Sequence, residues 1–183
     1  MGEVNCSVVA YLPGALGEFV DGLRRRLNPR FANWLAHVTV LPPRPLPDNP
    51  QIFLAEMQEK CQLYEPFDAE LSDVLTFWPV KGVVYLSIST GSDRLTRLHD
   101  LLNFGVLARV EPYAFVPHIT LAQELDEAET AAVLAEASGE WTRYTGKTTF
   151  RVESVSLVRQ LENKSWLDMA TIGLGSALKP AGR

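Results

Sequence analysis

Two stretches decide how this chain is read: residues 34–43, WLAHVTVLPP, and residues 115–124, FVPHITLAQE. Each places a histidine, an aliphatic residue, a threonine and a second aliphatic residue in that order, and the chain has only 3 histidines. Along an extended strand side chains alternate between faces, so residues two apart point the same way. His37 and Thr39 therefore share one face of a short strand, and Val38 and Val40 share the other. His118 and Thr120 stand against Ile119 and Leu121 in the same manner. The aliphatic face of each strand predicts burial. The histidine–threonine face must meet water, a partner or a ligand, because polar groups buried without partners are costly. A single string of this kind reads as an ordinary half-exposed strand. Two of the three histidines falling into it by chance is on the order of one in a thousand at ordinary residue frequencies.

Around these strands the chain alternates between periods. Residues 4–12, VNCSVVAYL, are β-rich and end before Pro13 and Gly14, so they predict a strand. Residues 15–27, ALGEFVDGLRRRL, place Leu16, Phe19, Val20, Leu23 and Leu27 at helical spacing, closed by Pro29. The strand at WLAHVTVL is expected to stop at PPRPLPDNP, a run suited to neither helix nor central strand. A second helix follows over residues 51–65. Two strands, 67–78 and 83–90, then flank a turn near Lys81-Gly82. Residues 92–105 predict a third helix with Ser92 as its cap and Gly105 at its end. After the strand at 117–125 come a fourth helix over 126–138 and two final strands, 148–160 and 166–174. The order of elements nearly repeats, with one histidine strand in each half. It predicts a single α+β domain over residues 1–177, made of two lobes, with residues 178–183 as a frayed tail.

Composition narrows the classes open to such a domain. No apolar run approaches the roughly 20 residues needed to cross a bilayer. An acidic residue stands where a secretion signal would be basic, and Cys6 and Cys61 form neither a disulfide framework nor a zinc spacing. Reduced cysteines in a cytoplasmic protein are the expectation. A net charge of −5 excludes broad, salt-driven binding to nucleic acid backbones but leaves room for a locally basic pocket holding one phosphate. Nothing in the pattern requires a membrane or a protein partner, and a monomer is expected.

The segments HVTVLPP and PHITLA resemble the paired signatures of the two-histidine (2H) phosphoesterase superfamily, whose members include 2′-5′ RNA ligase and 2′,3′-cyclic phosphodiesterase-like proteins. The likeness covers most of the chain, from the opening strand that ends at a proline to the late strand pair around VSLVRQLENKSWLDMATIGL. It implies two pseudo-symmetric lobes whose antiparallel sheets face a central cleft, with helices packed outside. It also implies His37 and His118 as a catalytic pair, Thr39 and Thr120 as phosphate binders, and a nucleotide or RNA-end phosphodiester as substrate, such as a 2′,3′-cyclic phosphate or a 2′-5′ linkage. The chemistry is coherent without the family. Two imidazoles with pKa values near 6.5 can hold one neutral and one protonated form near neutrality, as base and acid. Near-symmetry leaves the two roles interchangeable. The threonine hydroxyls would support charge on the non-bridging oxygens. Such a reaction needs no metal and no cofactor, and hydrolysis is expected over ligation because water is abundant. The alternative is a nucleotide- or RNA-binding module with the same cleft and no significant turnover.

Other residues carry weaker expectations. His99 lies among leucines at helical positions, and a metal site built from His37, His99 and His118 lacks a supporting ligand spacing. Arg24, Arg25, Arg26 and Arg30 read as a solvated helix end. Arg44 and Arg159 are placed to reach a second phosphate. Tyr11, Phe77, Trp78, Tyr113 and Phe115 are candidates for stacking on a base, with Phe115 at the cleft rim.

Overall fold

The opening strand, β1 (Asn5–Tyr11), is buried from Cys6 to Ala10 and lies inside a sheet. A computed structural model of the chain, describing residues 4–31, 33–163 and 165–175, pairs β1 with β2 (His37–Pro45) on one side and β7 (Ser154–Gln160) on the other. Beyond β7 lies β8 (Trp166–Gly173), giving the order β2-β1-β7-β8. The second sheet has the order β5-β4-β3-β6, from β3 (Phe67–Thr76), β4 (Val84–Ile88), β5 (His118–Ala122) and β6 (Thr149–Val152). Every pairing is antiparallel. The helices are α1 (Gly14–Leu27), α2 (Pro50–Gln62), α3 (Ser92–Leu102) and α4 (Glu127–Arg143). They cover the sheets from outside: α1 packs on β5, α2 on β8, α3 on β2 and α4 on β3. This is the expected α+β architecture of two four-stranded antiparallel sheets. One hydrophobic core runs through both, from Val8 and Ala10 through Leu23 and Met57 to Leu95 and Ile119.

The histidine strands obey the alternation read from their sequence. Val38, Val40 and Ile119 are fully buried and Leu121 nearly so, while His37, Thr39, His118 and Thr120 are half-buried. Each buried aliphatic side chain contributes about 1.5–3 kcal/mol. A one-residue slip would expose that set and bury the imidazoles, so the register is strongly specified.

Four expectations about the elements need correction. Residues 148–160, read as one strand, are two: β6 belongs to the second sheet and β7 to the first, with Glu153 as the crossing point. The lobes are therefore not successive halves of the chain, since β7 and β8 return to the sheet that β1 began. Strand β2 does not stop at the proline run but continues through Pro42, Pro43 and Pro45. It can do so because it is an edge strand, where a missing N–H costs no ladder bond. Helix α4 runs to Arg143, five residues past its expected end, and starts with a capping box between Asp126 and Glu129. Helix α3 begins at Ser92, but the capping position is Gly91, at φ 79°, with no side-chain cap. The turn near Lys81-Gly82 does join β3 and β4, and a Cβ at Gly82 would lie 1.8 Å from the Leu125 carbonyl oxygen. The frayed tail expected at 178–183 lies outside the described residues.

Candidate active site

The two histidine strands are edge strands of different sheets, and they touch each other where the sheets meet. His37 begins β2 and His118 begins β5. Each imidazole is held by the same local device. His37 Nδ1 lies 2.6 Å from the carbonyl of Leu35, and His118 Nδ1 lies 2.7 Å from the carbonyl of Val116. A carbonyl only accepts, so Nδ1 carries the hydrogen in both rings and Nε2 presents a lone pair. His118 is close enough for its charge to act on His37.

Both histidines are driven toward the neutral form. Burial pushes His37 down to about 3, against the Leu35 hydrogen bond that favours its charged form; the charges of Arg24 and His118 lower it further. Burial likewise lowers His118, opposed by its bond to Val116 and reinforced by Lys81. Without an anion between them, the pair rests as two neutral bases.

The neighbouring hydroxyls divide into two groups. Ser7 donates to the Leu41 carbonyl at 2.6 Å, Ser87 to that of Asp73 at 3.1 Å, and Ser156 is paired with Thr171 at 2.7 Å. Thr39 and Thr120 make no side-chain hydrogen bond among the described residues. Thr39 sits opposite Val9 and Thr120 opposite Tyr85 on their sheets, so both hydroxyls share the histidines' face.

Two buried arginines hold the approaches to the motifs. Arg24, paired with Asp21 at 3.1 Å, donates to the carbonyls of Trp34 and Phe31, and Asp21 accepts from the Ala36 amide at 2.7 Å. The segment before His37 is thereby pinned to α1. Arg44 donates to Asn103 at 2.8 Å, the Leu107 carbonyl at 2.5 Å and Glu111 at 2.6 Å, pinning the loop that leads to His118.

The remaining sequence candidates separate accordingly. Arg44 is 2% exposed and its donors are engaged inside the protein, so it is a structural anchor and not a contact for a second phosphate. Arg159 faces Cys6 across the sheet, as Arg44 does, and so projects from the side opposite His37. Strand parity, not distance along the chain, removes both from the site. Phe115 stacks on His99 with ring centres 4.1 Å apart, and His99 Nδ1 bonds the Val40 carbonyl at 2.7 Å. Phe115 thus covers a buried histidine behind β2, and His99 does not join the other two: among the described residues no three His, Cys, Asp or Glu side chains converge. Cys6 and Cys61 are free and buried, and burial pushes both thiols up to about 11.

Tyr11 does stand beside His37, edge to face at 6.3 Å, but its hydroxyl is occupied, donating to Asp168 at 2.5 Å and accepting from Trp34 Nε1 at 2.9 Å. Burial and that carboxylate raise its pKa. Phe77 packs edge-on against His118 at 5.0 Å. Trp78 and Tyr113 are exposed, and Lys81 Nζ lies 5.2 Å above the Tyr113 ring. Sequence reasoning missed five residues of these surroundings: Trp34 at 3.8 Å from the His37 ring, Trp166 stacked on Trp34, Asp168, Tyr85 at 5.1 Å from the His118 ring, and Lys81 near His118. Trp34 stands three residues before His37, as Phe115 stands three before His118, so the same spacing could have singled it out. No local signal joins Trp166 and Asp168 to residue 37, because β8 reaches it only by way of β7 and β1.

A family model described as the 2′-5′ RNA ligase superfamily matches residues 12–164 of the chain. A protein of Bacillus cytotoxicus bearing the name "Putative phosphoesterase" is 29% identical over 177 residues, covering 96% of this chain and all of the relative. Among solved structures, Escherichia coli LigT in complex with 3′-AMP superposes with a TM-score of 0.64 at 16% identity, covering 94% of this chain and 99% of that one. TT0787 of Thermus thermophilus does so with a TM-score of 0.59 at 18% identity, covering 93% and 98%. These structural likenesses are likenesses of fold.

Proposed function

The chain belongs to the 2′-5′ RNA ligase superfamily, and on that premise we propose that it is a metal-independent phosphoesterase that opens a nucleotide or RNA-end phosphodiester, such as a 2′,3′-cyclic phosphate or a 2′-5′ linkage. The observation that carries this reading is the matched presentation of His37 and His118, each bonded through Nδ1 to the carbonyl two residues earlier and each offering Nε2. A phosphodiester anion lodged between two depressed imidazoles favours their charged forms, so its binding would yield one imidazolium beside one neutral imidazole. The neutral ring takes a proton from water, or from a ribose hydroxyl in the ligation direction, as the oxygen attacks phosphorus. The imidazolium gives its proton to the departing ribose oxygen. Thr39 and Thr120, whose hydroxyls are uncommitted, donate to the non-bridging oxygens as charge builds there. The 3′-AMP complex of LigT, a protein of the same fold, supports a nucleotide-sized substrate. Among the described residues no helix is long and apolar enough to cross a membrane.

The test is turnover of the four 2′,3′-cyclic nucleotides in EDTA, with the wild type beside His37→Ala and His118→Ala. Product that forms in EDTA and falls by orders of magnitude in both variants is the expected result. Near-normal turnover in both variants would sink the two-histidine mechanism, and loss of wild-type activity in EDTA would replace it with a metal-dependent one.

A further inference from the structure

Next to Trp34, the indole that packs on His37, a cavity of about 340 Å³ opens between the segment before β2 and the start of β8. Its walls include Tyr11, Arg25, Trp34, Trp166 and Asp168. The volume is at the lower end for ligand sites and suits one base with its sugar, not a strand. Trp34 is sandwiched, with the His37 ring at 3.8 Å and Trp166 at 4.9 Å and only 14° from parallel. Among the described residues no further ring stacks on Trp166, which ends the stack half-buried. The polar groups of the wall are fixed but not all used. Trp34 donates to Tyr11, and Tyr11 donates to one oxygen of Asp168, leaving the other oxygen without a partner among the described residues. On α1, Arg24 is committed to Asp21 and Arg26 to Glu140, whereas exposed Arg25 makes no ion pair among the described residues, and none with Asp168. A carboxylate and a guanidinium thus line one cavity beside the Trp166 indole without pairing with each other among the described residues.

We propose that this cavity is a guanine subsite, in which the base stacks on Trp166, its N1–H and N2 amino edge donates to Asp168, and O6 and N7 accept from Arg25. Among the common bases, guanine alone places two donors side by side, the match for a carboxylate, and carries the O6/N7 pair that a guanidinium reads best. Adenine and cytosine would turn a ring-nitrogen lone pair toward Asp168, and uracil flanks its single N–H with carbonyls. The inference rests on the nucleotide-directed reading above and sharpens it: the nucleoside carrying the reacting phosphate, or the one next to it, is a guanosine lying on the His37 side.

The test is a tryptophan-fluorescence titration with free nucleosides, which have no phosphate and need no turnover. Guanosine is expected to quench about tenfold tighter than adenosine, cytidine or uridine, with inosine, lacking the N2 amino group, weakened in between. Asp168→Asn keeps an acceptor for Tyr11 but turns the free oxygen into a donor. It should cost guanosine about tenfold and leave adenosine unchanged or improved, a reversal that a merely structural role would not produce. Arg25→Met, on an exposed helix position, should weaken guanosine alone. Equal quenching by all four common nucleosides, no quenching by guanosine, or a guanosine preference that survives Asp168→Asn would each overturn the proposal. In His118→Ala guanosine should bind as in the wild type. Guanosine selectivity without turnover would remove the proposed reaction and leave the subsite standing; turnover without selectivity would do the reverse.

Discussion

His37 carries a stability signature that follows from its surroundings. Burial holds its pKa at about 3 in the folded protein, against about 6.5 in an unfolded chain. Between those values the unfolded state binds a proton at residue 37 that the native state refuses. Unfolding then takes up a proton, and stability falls as pH falls. The loss begins as pH drops through 6.5 and grows by about 1.4 kcal/mol per pH unit, reaching ~2 kcal/mol at pH 5. That is a large share of the stability of a domain this size. The perturbation is His37→Gln, which keeps a side-chain N–H for the Leu35 carbonyl and does not titrate. Urea unfolding, followed by tryptophan fluorescence, is compared for the two proteins across roughly pH 5 to 8. The wild type should lose ~2 kcal/mol more than the variant between pH 7 and 5. His118 and every other group titrate in both proteins and cancel. Parallel pH profiles would refute the reasoning, because they would mean that His37 meets protons equally well folded and unfolded.

Two further outcomes follow from the same site. Inorganic phosphate bound between the imidazoles should raise both depressed pKa values, so calorimetric titrations at pH 7 in buffers of different ionisation enthalpy should reveal uptake of up to about one proton per phosphate; binding with no proton uptake would mean the anion sits elsewhere. Thr39→Val and Thr120→Val should each lower kcat/KM by about 10–100-fold, the scale of a hydrogen bond to a charged oxygen. Because neither hydroxyl has a partner among the described residues, neither change should reduce Tm. A variant with normal kcat/KM, or one that loses stability in its place, would return that threonine to a structural role.

How far the sequence reveals this molecule depends on the range over which each signal acts. The His-x-Thr faces were legible because alternation along a strand is a property of neighbouring residues. The strand containing Phe150 and Leu157 was not, because nothing local in TTFRVESVSLVRQ announces that the chain changes sheets at Glu153. The proline run after Leu41 was misread for a related reason. Proline forbids a central strand, but whether a strand is central is a fact about its partners. The arginines show the limit most plainly. Arg44 lies just past the first motif and Arg159 on a late strand, and both turn to the helix-covered face beside Cys6. Parity would have given Arg159 the face of Leu157, opposite the cleft, had the register of β7 against β1 been known. Trp34, Trp166 and Asp168 meet only through the order β2-β1-β7-β8, an arrangement no window of sequence contains.

The two motifs are equivalent in what they do to the imidazole and different in what surrounds it. Both rings are oriented by a carbonyl two residues upstream, both are desolvated, and both stand beside an uncommitted threonine. That common part contains nothing that could tell one end of a substrate from the other. The neighbours do. On the His37 side stand Trp34, the Tyr11–Asp168 hydrogen bond and an open cavity. On the His118 side stand Phe77, Tyr85 and the cation of Lys81. A phosphodiester is itself polar, with a nucleoside on one oxygen and a different group on the other. As the proposed substrate it would settle in one direction, and that direction would fix which histidine meets the leaving oxygen. In the proposed reaction, the division of acid and base between His37 and His118 would then be set by Trp34, Asp168 and Lys81, which flank the histidines outside the His-x-Thr strings.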